Sequence, residues 1–303
     1  MYIHKLKGAS FLNVSTTTWV IDTRLGYKES IHLLKQAGFN TYDLKLYSNP
    51  QQSAEFLISD DFKANAQEFK KYADSLGLTC NQAHAPYPSS DEDESKTEEI
   101  FDLIVRAMEV ASILGAKIIV VHPMQHLNYA ENQRELFKLN VQFYKNLIPY
   151  AQKFGIKIAT ENMWQLNLPT KVPTDSVCSR AWEFCELIDA VDSDYLVGCL
   201  DIGHASLMNA DIPEFIRKMG NKRLLALHIH DTDLKSDSHT LPFTQKIDYE
   251  PILKALGEID YKGDVTFEAG HFFKKFPDEL LLPAARLLCD TGKYLAQKID
   301  SYR

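Results

Sequence analysis

The sequence has no CxxC pair, and its five cysteines (Cys80, Cys178, Cys185, Cys199 and Cys289) are odd in number. Both facts argue against a disulfide framework and favour reduced thiols, as in a cytoplasm. Cys80 and Cys199 lie in apolar, strand-like runs and read as buried filler. No apolar run is long enough to span a bilayer, and the opening MYIHKLKGASFLNVSTTTWV is too polar for a secretory signal. Basic charge is short as well: 33 Lys and Arg stand against 41 Asp and Glu, a formal net charge of −8. The acidic run DEDESKTEE has no matching basic stripe, which disfavours a nucleic-acid partner and leaves a small-molecule substrate. Low-complexity linkers are missing, as is the glycine-rich phosphate fingerprint that would mark an open doubly wound sheet.

What is present is a repeated unit. A helix-like stretch ends near a glycine or polar turn and a short apolar strand follows: QAGFNTYDLKLY, SLGLTCNQAH, LGAKIIVVHP, FGIKIATEN, DYLVGCLDIGH, NKRLLALHIHD and YKGDVTFEAG. With FLNVSTTTW at the start, these runs supply the strands of a (β/α)8 barrel, and residues 1–303 are expected to form one such domain. Between the strands the spacing is helical; IFDLIVRAMEVASILG puts Ile100, Leu103, Ile104, Ala107, Val110, Ala111 and Leu114 on one face. The preceding SSDEDESKTEE offers capping serines and acidic residues to that helix's N-terminus. Trp182 falls in a helix-like run and is expected in the core.

Barrel enzymes keep their chemistry at the C-terminal ends of the strands. There this sequence places His84 (AHAPY), His122 (VVHP), Glu161 (ATEN), Asp201 and His204 (LDIGH), His228 and His230 (LHIHD), Asp237 and His239 (SDSH) and Glu268 (TFEA). Carboxylates crowded at one rim repel each other, and a bound divalent cation removes that repulsion.

Together with PFTQKIDYEPILKALGEIDYKGDVTFE, these motifs resemble the xylose isomerase-like barrel superfamily, within it the sugar phosphate isomerase/epimerase group that shares its scaffold with endonuclease IV. The resemblance implies a divalent metal (Mn, Zn, Co or Mg) on Glu161, Asp201, His228 and Glu268. His228 is selected over His230 by the pattern of histidine, two residues and an acid. It further implies that His204 touches substrate, and that His84, His122, His204, Asp237 and His239 match the additional ligands of a three-zinc nuclease site. Two features depart from these relatives: LPFTQKID replaces the nuclease's glycine-rich turn, and Leu234 stands where many ketose epimerases carry an arginine.

Catalytic roles are expected for Glu161, Glu268 and His204. Trp19, Trp164, His230 and Phe272 are candidate substrate contacts, and the long stretch ENMWQLNLPTKVPTDS reads as a loop over the site. Lys171, Lys274 and Lys275 read as solvated, and Asp231 and Asp233 as loop residues. The resulting expectation is a cytoplasmic metal-dependent isomerase or epimerase of a sugar or polyol, phosphorylated or not. The alternatives are a keto-inositol dehydratase-like lyase and an abasic-site nuclease. Neither nucleic acid nor membrane is an expected partner, and a homo-oligomer is admissible.

Overall fold

The computed structural model describes residues 12–47 and 49–303 of the chain. Ten strands follow in order: β1 (Val14–Thr16), β2 (Thr41–Lys45), β3 (Thr79–His84), β4 (Ile118–Val120), β5 (Lys157–Glu161), β6 (Trp164–Asn167), β7 (Val172–Asp175), β8 (Leu196–Asp201), β9 (Leu224–His228) and β10 (Val265–Phe267). Strands β2, β3, β4, β5, β8 and β9 pair side by side in parallel, and β1 pairs with β10 in parallel. Isolated parallel bridges, Thr17 to Asp43 and Ile229 to Phe267, join the two sheets on both sides. The ring therefore closes in sequence order as a (β/α)8 barrel, and each strand predicted from sequence has its place in it. Closure leaves the ring itself without a free edge among the described residues.

Alternation along the strands sets what lies inside. Successive side chains point to opposite faces, so residues two apart share a face. Val120, Ala159, Val197, Cys199 and Ala226 form a small apolar cluster of their own, separate from the large core between strands and helices. Two residues beyond Val120, Ala159, Cys199 and Ala226 come His122, Glu161, Asp201 and His228. An apolar plug thus fills the barrel, and the next inward layer toward the strand C-termini is polar.

The helices pack their apolar stripes on the outside. In Glu94–Leu114, Ile104, Ala107, Val110, Ala111 and Leu114 are buried, whereas Ile100 and Leu103 are only partly so. The cap of that helix is Asp93 rather than a serine; its carboxylate accepts from the Ser95 backbone N–H at 3.0 Å. Gly115 and Gly155 end their helices in the left-handed conformation, which glycine adopts without Cβ strain. Trp182 is not core but 48% exposed. The stripe of helix Ala181–Val191 runs through Phe184, Leu187, Ile188 and Val191, and Trp182 falls off it. All five cysteines are free and buried. Among the described residues, no helix is long and apolar enough to cross a membrane.

The expected loop after β5 is a β-hairpin: β6 and β7 pair antiparallel, with Trp164 opposite Asp175 and Asn167 opposite Val172. Asn167 Oδ1 fixes the turn by accepting from the Thr170 N–H at 3.0 Å and from its hydroxyl at 2.9 Å.

Candidate metal and substrate site

The polar layer converges at the C-terminal mouth of the barrel. Glu161, Asp201, His228 and Glu268 are all buried, and each offers one ligand atom within 4.8 Å of the others. His228 Nδ1 is central, 3.3 Å from Glu161 Oε2, 3.3 Å from Glu268 Oε2 and 3.9 Å from Asp201 Oδ2. Both Glu161 oxygens and His228 Nδ1 are buried without a hydrogen-bond partner. Such atoms are costly unless something fills the gap, and a cation taking oxygen and nitrogen ligands fits these residues. His84 and His122 stand beside this group; His122 Nε2 lies 3.3 Å from Glu161 Oε2, and His84 Nε2 3.9 Å from Glu268 Oε1.

His204, His230, Asp237 and His239 form a second cluster, again with ligand atoms within 4.8 Å of one another. Asp237 Oδ2 lies 2.9 Å from His239 Nε2 and 3.3 Å from His204 Nε2.

Electrostatics follow from this crowding. Burial raises the pKa of the Glu161 carboxyl, but His228 and His122 outweigh it and hold the group well below the usual carboxylate range. Burial opposes charge on His228 too, yet Cys199, Glu161 and Glu268 push it well above the ordinary imidazole value. His204 is raised in the same way, against burial, by Asp201 and Asp237. The carboxylates thus favour positive charge among them, which a divalent ion at Glu161, Asp201, His228 and Glu268 would supply.

A further ring of side chains holds the ligands in place. Asn162 Oδ1 accepts from the Asp201 N–H at 2.7 Å while its amide donates to the Asp201 carbonyl at 2.9 Å, tying the end of β5 to β8. His230 is fully buried behind Asp201, its Nε2 3.1 Å from both carboxylate oxygens. Gly203 is needed there, because a Cβ would lie 2.0 Å from His230 Cε1. Asp43 Oδ1 lies 2.9 Å from His84 Nδ1, and the Gln82 amide donates to Asp43 Oδ2 at 2.8 Å and contacts His228 Nε2 at 3.0 Å. The Asp231 carboxylate accepts the backbone N–H groups of Thr232, Gln245, Lys246 and Ile247 at 2.8–3.1 Å, gathering both ends of the loop that carries Asp237 and His239. Asp233 accepts from the Lys235 and Ser236 N–H groups within the same loop.

A cavity of about 440 Å3 opens above the first cluster, lined among others by Lys45, Tyr47, Tyr87, His122, Glu161 and Trp164. Of the residues expected to meet substrate, Trp164 lines it, and its indole N–H donates to Asp237 Oδ2 at 3.4 Å. Trp19 lies one layer back, edge-on to His239 at 5.3 Å. Phe272 packs against Phe273 and Phe276 instead, and His230 sits behind its carboxylate, so neither forms the wall. Lys171, Lys274 and Lys275 are exposed and off the cavity.

Sequence reasoning missed the whole contribution of β2. Lys45 is buried there, its Nζ paired with Glu268 Oε1 and lying 4.7 Å from the Trp19 ring centroid. Burial alone would lower the Lys45 pKa, but Glu268 and Tyr47 raise it above the ordinary lysine value, so the side chain is a fixed cation. The signal was present in TYDLKLY, where two charged residues two apart interrupt an apolar strand.

Fold and site define a parallel barrel whose mouth carries a carboxylate–imidazole cluster able to hold a cation. Residues 31–286 match the family described as xylose isomerase-like TIM barrel, and the chain belongs to that family. The putative L-ribulose-5-phosphate 3-epimerase SgbU of Haemophilus influenzae is 23% identical over 80% of this chain and 83% of its own. Among solved structures, a D-psicose 3-epimerase in the presence of D-fructose superposes with a TM-score of 0.74 at 15% identity, covering 94% of this chain and 100% of its own. The IOLI protein with a bound zinc atom gives a TM-score of 0.74 at 18% identity, over 96% and 99%.

Proposed function

We propose that this protein is a divalent-metal-dependent isomerase or epimerase of a sugar or related polyol, working by proton transfer through an enediolate. The observation that carries the proposal is the pair of buried glutamates, Glu161 and Glu268, each 3.3 Å from His228 Nδ1 and both lining one cavity of sugar size. The epimerase names among similar proteins support it.

Glu161, Asp201, His228 and Glu268 would hold the ion, which when bound supplies positive charge beside the substrate's carbonyl and neighbouring hydroxyl oxygens. Glu161 and Glu268 come from different strands and reach the sugar from different sides. One carboxylate removes the proton from the carbon next to the carbonyl, and the electron pair left behind forms the enediolate C=C bond. The other, protonated from solvent, returns a proton to carbon. His204 hydrogen-bonds a substrate oxygen, Trp164 packs against the ring, and Tyr87 and Gln125 (joined by a 2.6 Å hydrogen bond) border the same cavity.

The second cluster, at His204, Asp237 and His239, favours one other reading: further ions and nuclease chemistry. Against it stand the net charge of −8 and the acidic loop APYPSSDEDES after β3, poor neighbours for phosphates. Efficient nicking of an abasic-site duplex by zinc-loaded protein would reverse that judgement.

The test of the main proposal shortens each glutamate in turn. Glu161→Asp and Glu268→Asp keep the charge and withdraw it by one methylene. Metal-replete variants should lose turnover and carbon-bound deuterium exchange on the substrate found in a panel of ketoses, aldoses and inosose. Near-normal exchange in both variants would refute the two-carboxylate mechanism.

A further inference from the structure

Lys45 has no place in the scheme above. It ends β2 with its side chain only 9% exposed. Burying an ammonium is expensive unless it is paired and positioned well, and an apolar residue would have filled this strand end without that penalty.

Its surroundings are specific. Glu268 divides its oxygens: Oε2 faces His228 Nδ1 at 3.3 Å, and Oε1 receives Lys45 Nζ. The ammonium lies over the rings of Trp19 and Tyr47, 4.7 and 5.8 Å from their centroids. Tyr47 also takes a hydrogen bond from Lys45, so ring faces and acceptors together hold the ammonium at the wall. Asp43, two residues earlier on the same strand, sits behind His84 with no exposure. Lys45 instead forms part of the cavity wall, beside Glu161, Glu268 and Tyr47. An ammonium carries three N–H donors and no acceptor, so it recognises developing negative charge.

We infer that Lys45 is a catalytic residue, donating a hydrogen bond to the substrate oxygen that becomes negative during proton transfer. The inference rests on the enediolate reading above. As the C–H bond breaks, its proton passes to a glutamate carboxylate and its electron pair forms the C=C bond. The carbonyl π pair moves to oxygen, where the Lys45 N–H meets it. Lys45 keeps its own proton throughout. When carbon regains a proton from the opposite glutamic acid, the oxygen pair re-forms the carbonyl and the hydrogen bond weakens.

The experiment compares wild type, Lys45→Met and Lys45→Ala, all loaded with metal, for metal content, KM, and the rate of carbon-bound deuterium exchange. Methionine fills the same space and keeps contact with Trp19 while removing the charge. Loss of one preorganised donor at a developing oxyanion costs about 10²–10³ in rate. Lys45→Met should therefore keep its metal and its KM within a few-fold and lose about that factor in kcat. Propylammonium, which completes the missing side chain, should restore exchange to Lys45→Ala in a dose-dependent way; propanol should not. Wild-type exchange that survives in metal-replete Lys45→Met overturns the assignment to Lys45 alone. So does a folded, metal-replete Lys45→Ala that propylammonium does not rescue. If neither variant folds or takes up metal, Lys45 is a structural counter-ion and the inference is refuted. A wild type that exchanges no carbon-bound proton with any of the panel removes the enediolate reading, and this inference with it.

Discussion

Replacing Glu183 by glutamine should stabilise the protein above neutral pH and leave it nearly unchanged in acid. Glu183 lies in the first turn of the helix Ala181–Val191 and is buried. Its Oε2 accepts from the Tyr129 hydroxyl at 2.8 Å and from the Cys178 N–H at 2.9 Å. Burial pushes its pKa from the ordinary 4.5 up to about 7; the two hydrogen bonds pull the other way, and the Asp175 and Glu186 carboxylates reinforce the rise. A folded-state value above the unfolded one means that the protonated acid favours the fold. That contribution is complete below about pH 4.5, fades as pH rises, and is gone above about pH 7. At about 1.36 kcal/mol per pH unit, the ionised group costs the folded state roughly 3 kcal/mol. Glutamine is neutral at every pH, and its carbonyl can still accept from Cys178. The stability gain of Glu183→Gln over wild type should therefore grow between pH 4.5 and 7 and level off beyond. In thermal melts at pH 8 it amounts to roughly 6 °C, at about 2 °C per kcal/mol for a chain of this size. Other titrating groups are common to both proteins and cancel in the difference. A gain of equal size at pH 5 and pH 8, or none at pH 8, would show that burial does not hold this carboxyl protonated.

Two further outcomes concern the metal. Elemental analysis of chelator-free protein should find at least one divalent ion per chain (about one or more, as the ligand set requires), and the Glu161→Gln, Glu268→Gln double variant should lose it; unchanged metal content would remove the ligand assignment. Gly203→Ala puts a methyl 2.0 Å from His230 Cε1 and 2.4 Å from its Nε2, so His230 must leave Asp201. Loss of such an outer partner lowers metal affinity about 10–100-fold, measured by competition with a chelator, and an unaltered affinity would mean that His230 does not orient Asp201.

The barrel and most of its mouth were legible because one physical rule links them. Side chains alternate along a strand, so a polar residue two places beyond a small apolar one, as in Ala159 and Glu161 or Ala226 and His228, marks the step from plug to rim. Asp43 and Lys45 share one face of β2 but follow Thr41 rather than a small apolar residue, so that mark was missing; buried lysine is rare, and charge in a strand reads first as an exposed edge. The hairpin Trp164–Asn167 and Val172–Asp175 was missed because its prolines and polar residues resemble an irregular loop, and pairing between two short strands depends on register. His230 and Phe272 sit beside the site in sequence, but whether a side chain faces the cavity or the layer behind it is decided by packing. Trp182 shows the limit of hydrophobicity alone: Phe184, Leu187, Ile188 and Val191 supply the stripe, and the indole, off that face, is left in solvent.

The four backbone amides gathered by Asp231 make closure of the following loop a property of the strand end, not of the loop's own sequence. A loop whose ends are already held together has little closure entropy left to lose. Its exposed tip can then change in length while Asp237 and His239 stay at the site. The segment between Asp231 and Gln245 is locked at its base by one carboxylate and pinned at its middle by His239, whose Nδ1 lies 2.8 Å from the Glu268 carbonyl oxygen. Length changes at its exposed tip, residues 234–236, are therefore expected to leave the strand ends in place.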